Sequence, residues 1–596
     1  MVAFVADLKT TNDPSKCRVW GWGAVSVDDL NDLFVGNNIF SFMDWCEQRR
    51  DNITVYIHEL KYGIQFLISY LFEEGFTHVS QPRDRATKTF TTMISDKGLY
   101  YGLEVIFFKK GKNIKKVTFL DSHKLLPMPV EKIAGSFKME YEEFEIDENI
   151  RCQIPPETPL TQQEMEYLSR DIRIVAVALR YFLDNGMDKI TIGSCAIAEY
   201  KKLIGERKFR IWFPTIKTAN DDIRKAYKGG FSYVNPEIAG KTVGAGMVLD
   251  INSMYPACMK FDPMPYATPI FFKGKYQPDP LYPLYVQQLR CAFKLKPGKL
   301  PTVQVKYGTH YYGTEYLTSS DDEEMVLTLT SVDLELFYEH YEVFNEEWIK
   351  GWKFQSSTGL FVDYVDKWTG IKIQSKLEQN YGMYILSKTM QNALYGKFGT
   401  KGERRSKIPY MKNGMVHYED AEPVEVPGAY VAVAAFITAY GRKRVITAAQ
   451  RITDDYNSGK SDIQWLYADT DSCHILSPNG ELPEGLEISA TDLGAWKVES
   501  SFYRAKYLRS KCYVDDEMIT EEEYIKGKAS KFSSQYSEKN GNFHYLKITA
   551  AGMPDTCYEQ VTFNNFQFGK TYGGKKIPQV VPGGIVFVDD TFTIVR

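Results

Sequence analysis

Short apolar runs at Val2–Ala6 and Cys17–Val25, separated by a turn-forming stretch from Thr10 to Pro14, read as two strands. The segment VYIHELKYGIQFLISYLFEEG reads as a strand running into an amphipathic helix from Ile64 to Glu74. Residues from Thr89 to Phe108 alternate as a hairpin whose turn is Asp96-Lys97-Gly98. Thr161 to Asn185 carries a strong helical period, and Asn185-Gly186 supplies a stop. A helical bridge follows near 190–204, then a stretch rich in Gly, Pro and Tyr over 227–320. Further helices are expected at 332–342, 372–395 and Thr438–Asn457. The stretch 399–430 is polar, with turns at Asn413-Gly414 and Pro427-Gly428. Around Tyr467–Leu476 the pattern is strand, turn, strand, and the last hundred residues mix strand and turn.

This pattern makes the N-terminal third an α/β unit, followed by further α/β units. A length of 596 residues suits several domains rather than one. Hydrophobic content of 44% and charged content of 25% exclude disorder, collagen and a coiled-coil rod. The net charge of −4 gives no overall basic character, so any nucleic-acid surface must come from local segregation of charge. Such clusters exist at Lys109–Lys116, Arg207–Arg210, Lys401–Arg405 and Arg442–Arg444, although each alone also reads as a solvated face. Aromatics reach 14%, enough to stack on bases as well as fill cores. Nine scattered Cys without a CxxC pair, and His without an HxxxH pair, disfavour zinc and a disulfide framework. No apolar run is long enough to span a membrane, and the N-terminus lacks a signal-peptide flank, so no membrane partner is expected.

Two segments carry the candidate chemistry. In Val248-Leu249-Asp250-Ile251-Asn252 an apolar strand delivers one carboxylate and then breaks. In Tyr467-Ala468-Asp469-Thr470-Asp471-Ser472 two carboxylates lie between apolar β runs, two residues apart, and so on one face of a regular strand. Each alone reads equally as a turn Asp capping backbone amides. Gathered together, three carboxylates repel unless divalent cations neutralise them, and oxygen-only sites suit Mg²⁺. Two such ions can activate an attacking oxygen and stabilise a leaving one. A third segment, residues 388–398, places Lys388, Asn392 and Tyr395 on one helical stripe: a cation, an amide and an aromatic suited to a nucleotide, or a stripe of core.

DINSMYP, KTMQNALYG and YADTDS occur in the order of the three polymerase motifs of family B DNA polymerases, which the chain resembles. Lys511-Cys512-Tyr513 is similar to the family's KxY motif, and Tyr227-Lys228-Gly229-Gly230 to its YxGG motif. SVDLELFYEHY, RAKYLR and VDDTFTIVR, together with room for two insertions after Tyr255 and after Gly396, resemble the protein-primed, phi29-like phage branch over nearly the whole chain. The resemblance implies a ribonuclease-H-like exonuclease-fold domain (1–188) and a right-hand polymerase. The hand would comprise palm (189–260 and 431–530), fingers (359–398) and thumb (531–596), interrupted by a terminal-protein-contacting insertion (261–358) and a second insertion for processivity and strand displacement (399–430). It implies Asp250 and Asp471 as principal ligands of two Mg²⁺, replaceable by Mn²⁺, with Asp469 beside them. It implies Tyr255 as a steric gate against ribose, Lys372 and Lys388 on the dNTP triphosphate, and Asn392 and Tyr395 in the nucleotide pocket. Tyr227, Gly229 and Gly230 would touch template, and Lys511 and Tyr513 the primer terminus. The implied partners are primer-template DNA and a terminal protein. The implied state is a monomer in the cytoplasm of a bacterial host.

The N-terminal domain departs from the family pattern. Where the family has DxE, this chain has Asp7-Leu8-Lys9. Where an Asn and a later Asp are expected, it has Glu59 and Gly63. Only Asp7 and the pair Tyr167 and Asp171 survive, so the expectation is a domain that folds but has little or no nuclease activity. His58 and Phe66 match family contacts to a single-stranded primer end, while Phe66 also reads as core. Two other readings remain open on residues alone: a nucleic-acid scaffold without chemistry, and a nuclease using the N-terminal domain.

Overall fold

The computed structural model describes residues 2–140, 148–306, 314–321, 323–528 and 535–596. The N-terminal body is an eight-stranded sheet with the parallel trio Val2–Thr10, Ile53–Ile57 and Asn113–Asp121 at its centre. Ile53–Ile57 is buried throughout and Val2–Thr10 over most of Ala3–Leu8, as strands covered on both faces must be, while Asn113–Asp121 is buried only toward its end. Helix Leu60–Glu73 buries Leu60, Ile64, Phe66, Leu67, Ile68 and Leu71 against one face. Helix Gln162–Asp184 covers the other. It starts at Thr161 through a reciprocal capping box with Glu164. Its approach depends on Gly21 and Gly23 of strand Val19–Ser26: a Cβ on Gly23 would lie 2.8 Å from the Leu168 carbonyl. Strand register sets Asp7 opposite Gly23 and Lys9 opposite Gly21, so the helix that crosses these glycines carries Tyr167 and Asp171 over them.

The second body is built on a nine-stranded antiparallel sheet containing Gly246–Ile251, Ser472–Leu476, Gln464–Thr470, Phe231–Val234 and Trp496–Arg509. Helix Val431–Asn457 runs behind it, buried along most of its length. That helix starts seven residues before the expected Thr438, because the small apolar run Val431–Ala435 continues its buried face. Residues expected as one helix at 372–395 form two, Val362–Leu377 and Tyr381–Phe398. Gln379 adopts φ 53° between them, and the Asn380 side chain accepts a hydrogen bond from the Met383 amide, so a cap replaces continuation.

Strands Met264–Lys273, Leu284–Leu295, Met325–Thr330 and Tyr341–Ser357 form their own four-stranded sheet with helix Ser331–His340, and Lys407–Asp420 an extended hairpin. Strands Tyr536–Lys539 and Asn542–Ala550 extend the nine-stranded sheet, so part of the expected thumb is continuous with the palm. The boundary expected at 530/531 lies outside the described residues. The C-terminal hairpin, Thr571–Val581 with Gly584–Thr593, reaches back to the N-terminal body. There Phe587 packs edge-on against Tyr62 at 4.9 Å and exchanges two hydrogen bonds with Asn12. No helix among the described residues is long and apolar enough to cross a membrane.

Candidate active site

Three adjacent strands build the acidic centre. Asp250 pairs in register with Ser472 on one side and Lys497 on the other. Asp469 and Asp471 do not share the face of a regular strand, as their spacing led us to expect. Thr470 takes φ 64° and turns the chain, and the Asp471 amide donates back to the Asp469 carbonyl at 2.7 Å. The Ile251 amide donates to the Asp471 carbonyl at 2.9 Å, which fastens this turn to the end of the Asp250 strand. Asp250 and Asp471 are thereby brought together, whereas Asp469 turns to the Lys511 ammonium at 2.5 Å.

The electrostatics follow from this placement. Burial, then the charge of Asp250, pushes the Asp471 carboxyl up to about 6. Lys497 meets Asp250 at 2.9 Å and offsets part of its charge; burial opposes the Lys497 charge, but Asp250 outweighs it and its pKa rises. Among the described residues no three His, Cys, Asp or Glu side chains form a ready-made metal cage. A half-buried carboxylate pair still short of positive charge nevertheless fits Mg²⁺, which commonly takes one or two carboxylates and completes its shell with water and substrate phosphates.

The two antiparallel helices 362–377 and 381–398 set a basic and aromatic wall beside this centre. Lys388 and Asn392 are exposed and Tyr395 half-buried along one stripe. The Tyr395 ring lies 4.5 Å from Tyr255 at a 48° tilt. Burial, reinforced by Tyr395, drives the Tyr255 phenol well above its ordinary value, so it stays neutral. Lys372 is half-buried; desolvation, then the nearby Lys388, Lys497 and Lys376, lower its pKa.

Gly230 leans directly on the Asp469–Asp471 turn, where a Cβ would fall 2.8 Å from the Thr470 side chain. Gly229 borders open space, and the Tyr227 ring packs on Gly399. Arg442, read from sequence as one of a basic cluster, is instead 2% exposed. It donates to the Lys228 and Gly229 carbonyls at 3.0 and 2.7 Å and binds both oxygens of Asp333. Lys443 and Arg444 pair with Glu335 and Asp262, so this cluster is mostly internal wiring. The signal that could have singled out Arg442 is its position among small and apolar residues of a buried helix face. Lys497 had no sequence signal, because only cross-strand register brings it to Asp250. Tyr513 is 8% exposed and packs on Tyr467, Tyr507 and His474, which places it under strand Gln464–Thr470 rather than at an open surface.

In the N-terminal body Asp7, Tyr167 and Asp171 do converge, but on Lys9. The Lys9 ammonium lies 2.9 Å from Asp7, 3.9 Å from Asp171 and 4.6 Å above the Tyr167 ring. Burial works against its charge, and these three groups more than restore it, holding the ammonium protonated. A cavity of about 260 Å³ opens beside them, lined by Asp7, His58, Glu59 and Asp171. His58 is held at both ring nitrogens, by Ser122 at 3.0 Å and the Met128 carbonyl at 2.9 Å. Phe66 is 3% exposed and covered by Gly584 of the C-terminal hairpin, so in this structure it is core rather than an open DNA contact.

An acidic turn on an antiparallel palm, faced by a lysine-bearing helical pair and preceded by an exonuclease-fold domain, defines a right-hand nucleic-acid polymerase. The family model for DNA polymerase type B, organellar and viral, matches residues 142–477. The DNA polymerase of Bacillus phage M2 is 38% identical over 99% of both chains, and that of Bacillus phage phi29 is 38% identical over 99% of this chain and 98% of its own. Solved structures of phi29 DNA polymerase with primer-template DNA, and with primer-template DNA and incoming nucleotides, superpose with TM-scores of 0.88 and 0.89 at 36% and 37% identity, each covering 100% of both chains. The chain belongs to the type B DNA polymerases, among the phi29-like phage enzymes, and is a DNA-directed DNA polymerase.

Proposed function

We propose that this enzyme extends primers on a DNA template with dNTPs, that it also initiates on a terminal protein, and that it copies a linear phage-type genome processively as a monomer while displacing the non-template strand. The observation that supports the polymerase assignment of residues is the fastening of the Asp471 turn to the end of the Asp250 strand, with Lys372 bound to Ser253 three residues beyond Asp250 and close enough to Lys388 to feel its charge. Asp250 and Asp471 would hold two Mg²⁺, with Asp469 able to join them if Lys511 releases it; bound there, the ions would supply positive charge for the attacking hydroxyl and the pyrophosphate leaving group. Lys372 and Lys388 draw the triphosphate toward the helical wall and offset charge on its non-bridging oxygens. The neutral Tyr255 ring, braced by Tyr395, closes the space beside the sugar and rejects a 2′-hydroxyl. Asn392 and Tyr395 line the pocket for the nucleotide. Gly229, whose carbonyl Arg442 holds, and Gly230, which leans on the Thr470 turn, let template backbone approach closely, with Tyr227 beside them. Lys511 is the cation nearest the primer terminus, and Tyr513 supports it from below.

The insertion 261–358 is the surface for the terminal protein, and the second insertion, 399–430, with the C-terminal hairpin, encloses DNA. The N-terminal domain is an inactive exonuclease. Lys9 stands where a carboxylate ligand would be; its ammonium pairs with Asp7 and approaches Asp171, which Arg170 also pairs at 3.0 Å. A primed single-stranded circle with dNTPs and Mg²⁺ tests the reading. Products longer than the circle, lost with Asp471→Ala, support it; products stopping at one circle length remove strand displacement, and shortened primers would restore the nuclease.

A further inference from the structure

Gln391 sits at the one point where three pieces of the polymerase site meet. It belongs to helix Tyr381–Phe398 and is 1% exposed. Its Oε1 accepts from the Lys372 ammonium at 3.1 Å and from the Ser253 hydroxyl at 3.1 Å, while its Nε2 donates to Thr369 Oγ1 at 2.6 Å. Lys372 also donates to Ser253 Oγ at 2.9 Å, closing a triangle. An ammonium only donates, so the amide oxygen must face it, and this sets the amide's orientation without ambiguity. Ser253 takes a left-handed conformation, φ 48°, at the start of helix Met254–Phe261, three residues after Asp250 and two before Tyr255. Gln391 therefore joins the strand end that carries Asp250 to both helices of the cationic wall.

The chemistry of the amide matters. Lys372 is half-buried and stands among like charges, Lys388, Lys497 and Lys376. Something must hold its flexible stem there. A carboxylate would do so by cancelling the charge that a triphosphate needs. A neutral amide oxygen orients the ammonium, leaves its full charge in place and leaves its third N–H free.

We propose that Gln391 is a positioning residue for nucleotide binding: it aims Lys372 at the incoming triphosphate and couples that aim to the Ser253 turn beside the catalytic aspartate. This rests on Lys372 being a triphosphate contact, as argued above. Gln391→Met keeps volume and helix propensity but removes both hydrogen-bonding groups; Gln391→Glu keeps the acceptor and adds a negative charge. The experiment is steady-state single-nucleotide addition to primer-template DNA, with inhibition by inorganic triphosphate and thermal unfolding measured on the same proteins. Gln391→Met should raise KM for dNTP and the inhibition constant of triphosphate roughly tenfold, with kcat, DNA affinity and melting temperature near wild type. Gln391→Glu should raise both more, and its excess should shrink as pH falls toward 5, where the new carboxylate begins to protonate. Combined with Lys372→Ala, Gln391→Met should add almost nothing further. Should Lys372→Ala raise KM while Gln391→Met does not, or should the two add in full, the positioning role is overturned and the Lys372 assignment stands. Should Lys372→Ala leave KM and triphosphate inhibition unchanged, the underlying assignment fails instead. A fall in melting temperature that accounts for lost activity at unchanged KM reduces Gln391 to a packing residue and also overturns the proposal.

Discussion

The molecule holds two convergent carboxylate sites, one in each body, and they settle their charge in opposite ways. In the palm, Asp250 and Asp471 face each other with one lysine on the far side of Asp250, and Asp471 is pushed up to about 6 by burial and its neighbour. In the N-terminal body, Asp7 and Asp171 share the Lys9 ammonium. The first site retains excess negative charge at a half-buried place, which an external cation would complete under the proposed mechanism. The second carries its cation covalently and asks for none. Each site has a lysine 2.9 Å from one Asp, but in the N-terminal body the second Asp is met by Lys9 and Arg170 as well, whereas the charges bearing on Asp471 are those of other carboxylates.

The largest expected effect separates the sites outright. Asp250→Ala or Asp471→Ala should lower the rate of nucleotide addition by about a thousandfold or more, whereas Asp171→Ala should leave it within about twofold. Primer extension under single-turnover conditions measures both, and a comparable loss in Asp171→Ala would break the division.

Next, the silent site should be recoverable. Lys9→Glu combined with Gly63→Asp returns two carboxylates to the cavity. A side chain at Gly63 meets only Leu8 and Ile57 atoms at 3.6 and 3.8 Å, so there is room for it. Release of mononucleotides from single-stranded DNA with Mn²⁺ should rise about a hundredfold over the unaltered chain. No rise in a folded double variant would mean that Glu59 or the covered Phe66 also blocks the site.

A third variant probes the cost of a carboxylate without a partner. Asp515, between Cys512 and Met518 on the palm sheet, is 1% exposed, and neither oxygen meets a hydrogen-bond donor among the described residues. Burial pushes its carboxyl up to about 7, with Lys547 opposing the shift. A carboxyl raised in the folded state is at no disadvantage below its ordinary value near 3.8 and destabilises progressively as pH rises through about 7. Asp515→Asn should therefore be more stable than the wild type by about 1–2 kcal/mol at pH 8 and show no gain at pH 4. Denaturant unfolding at the two pH values decides it; an equal effect at both would refute the assignment.

The smallest effect concerns the covered Phe66. A Cβ at Gly584 would lie 2.3 Å from its ring, so Gly584→Val should loosen the C-terminal hairpin from the N-terminal body. Product length per binding event should fall about two- to threefold at unchanged single-nucleotide rate. Unchanged product length would separate that contact from processivity.

Much of this was legible in the chain itself. The order DINSMYP, KTMQNALYG, YADTDS and the Lys at position 9 are local in sequence, and local signals survive without coordinates. So did the helix from Thr161, whose capping residue and Glu164 stand three apart. What was not legible depends on register and on non-local packing. Lys497 reaches Asp250 only because strands 246–251 and 496–509 pair as they do. Asp469 and Asp471 part company because Thr470 turns left-handed, a conformation the spacing of two did not announce. Gln391 looks like one more polar position on a helix until Lys372 and Ser253 arrive from elsewhere. Arg442 and Phe66 have ordinary exposed or core readings that only burial decides.

One reaction tests the contrast between the sites most directly: a primer-template carrying a radiolabelled, mismatched 3′ nucleotide, incubated with dNTPs and Mg²⁺, in which added and released nucleotides are counted together. The account predicts addition that Asp471→Ala abolishes and release no greater than in an enzyme-free control. Release that Asp171→Ala abolishes, or addition that survives Asp471→Ala, would contradict it.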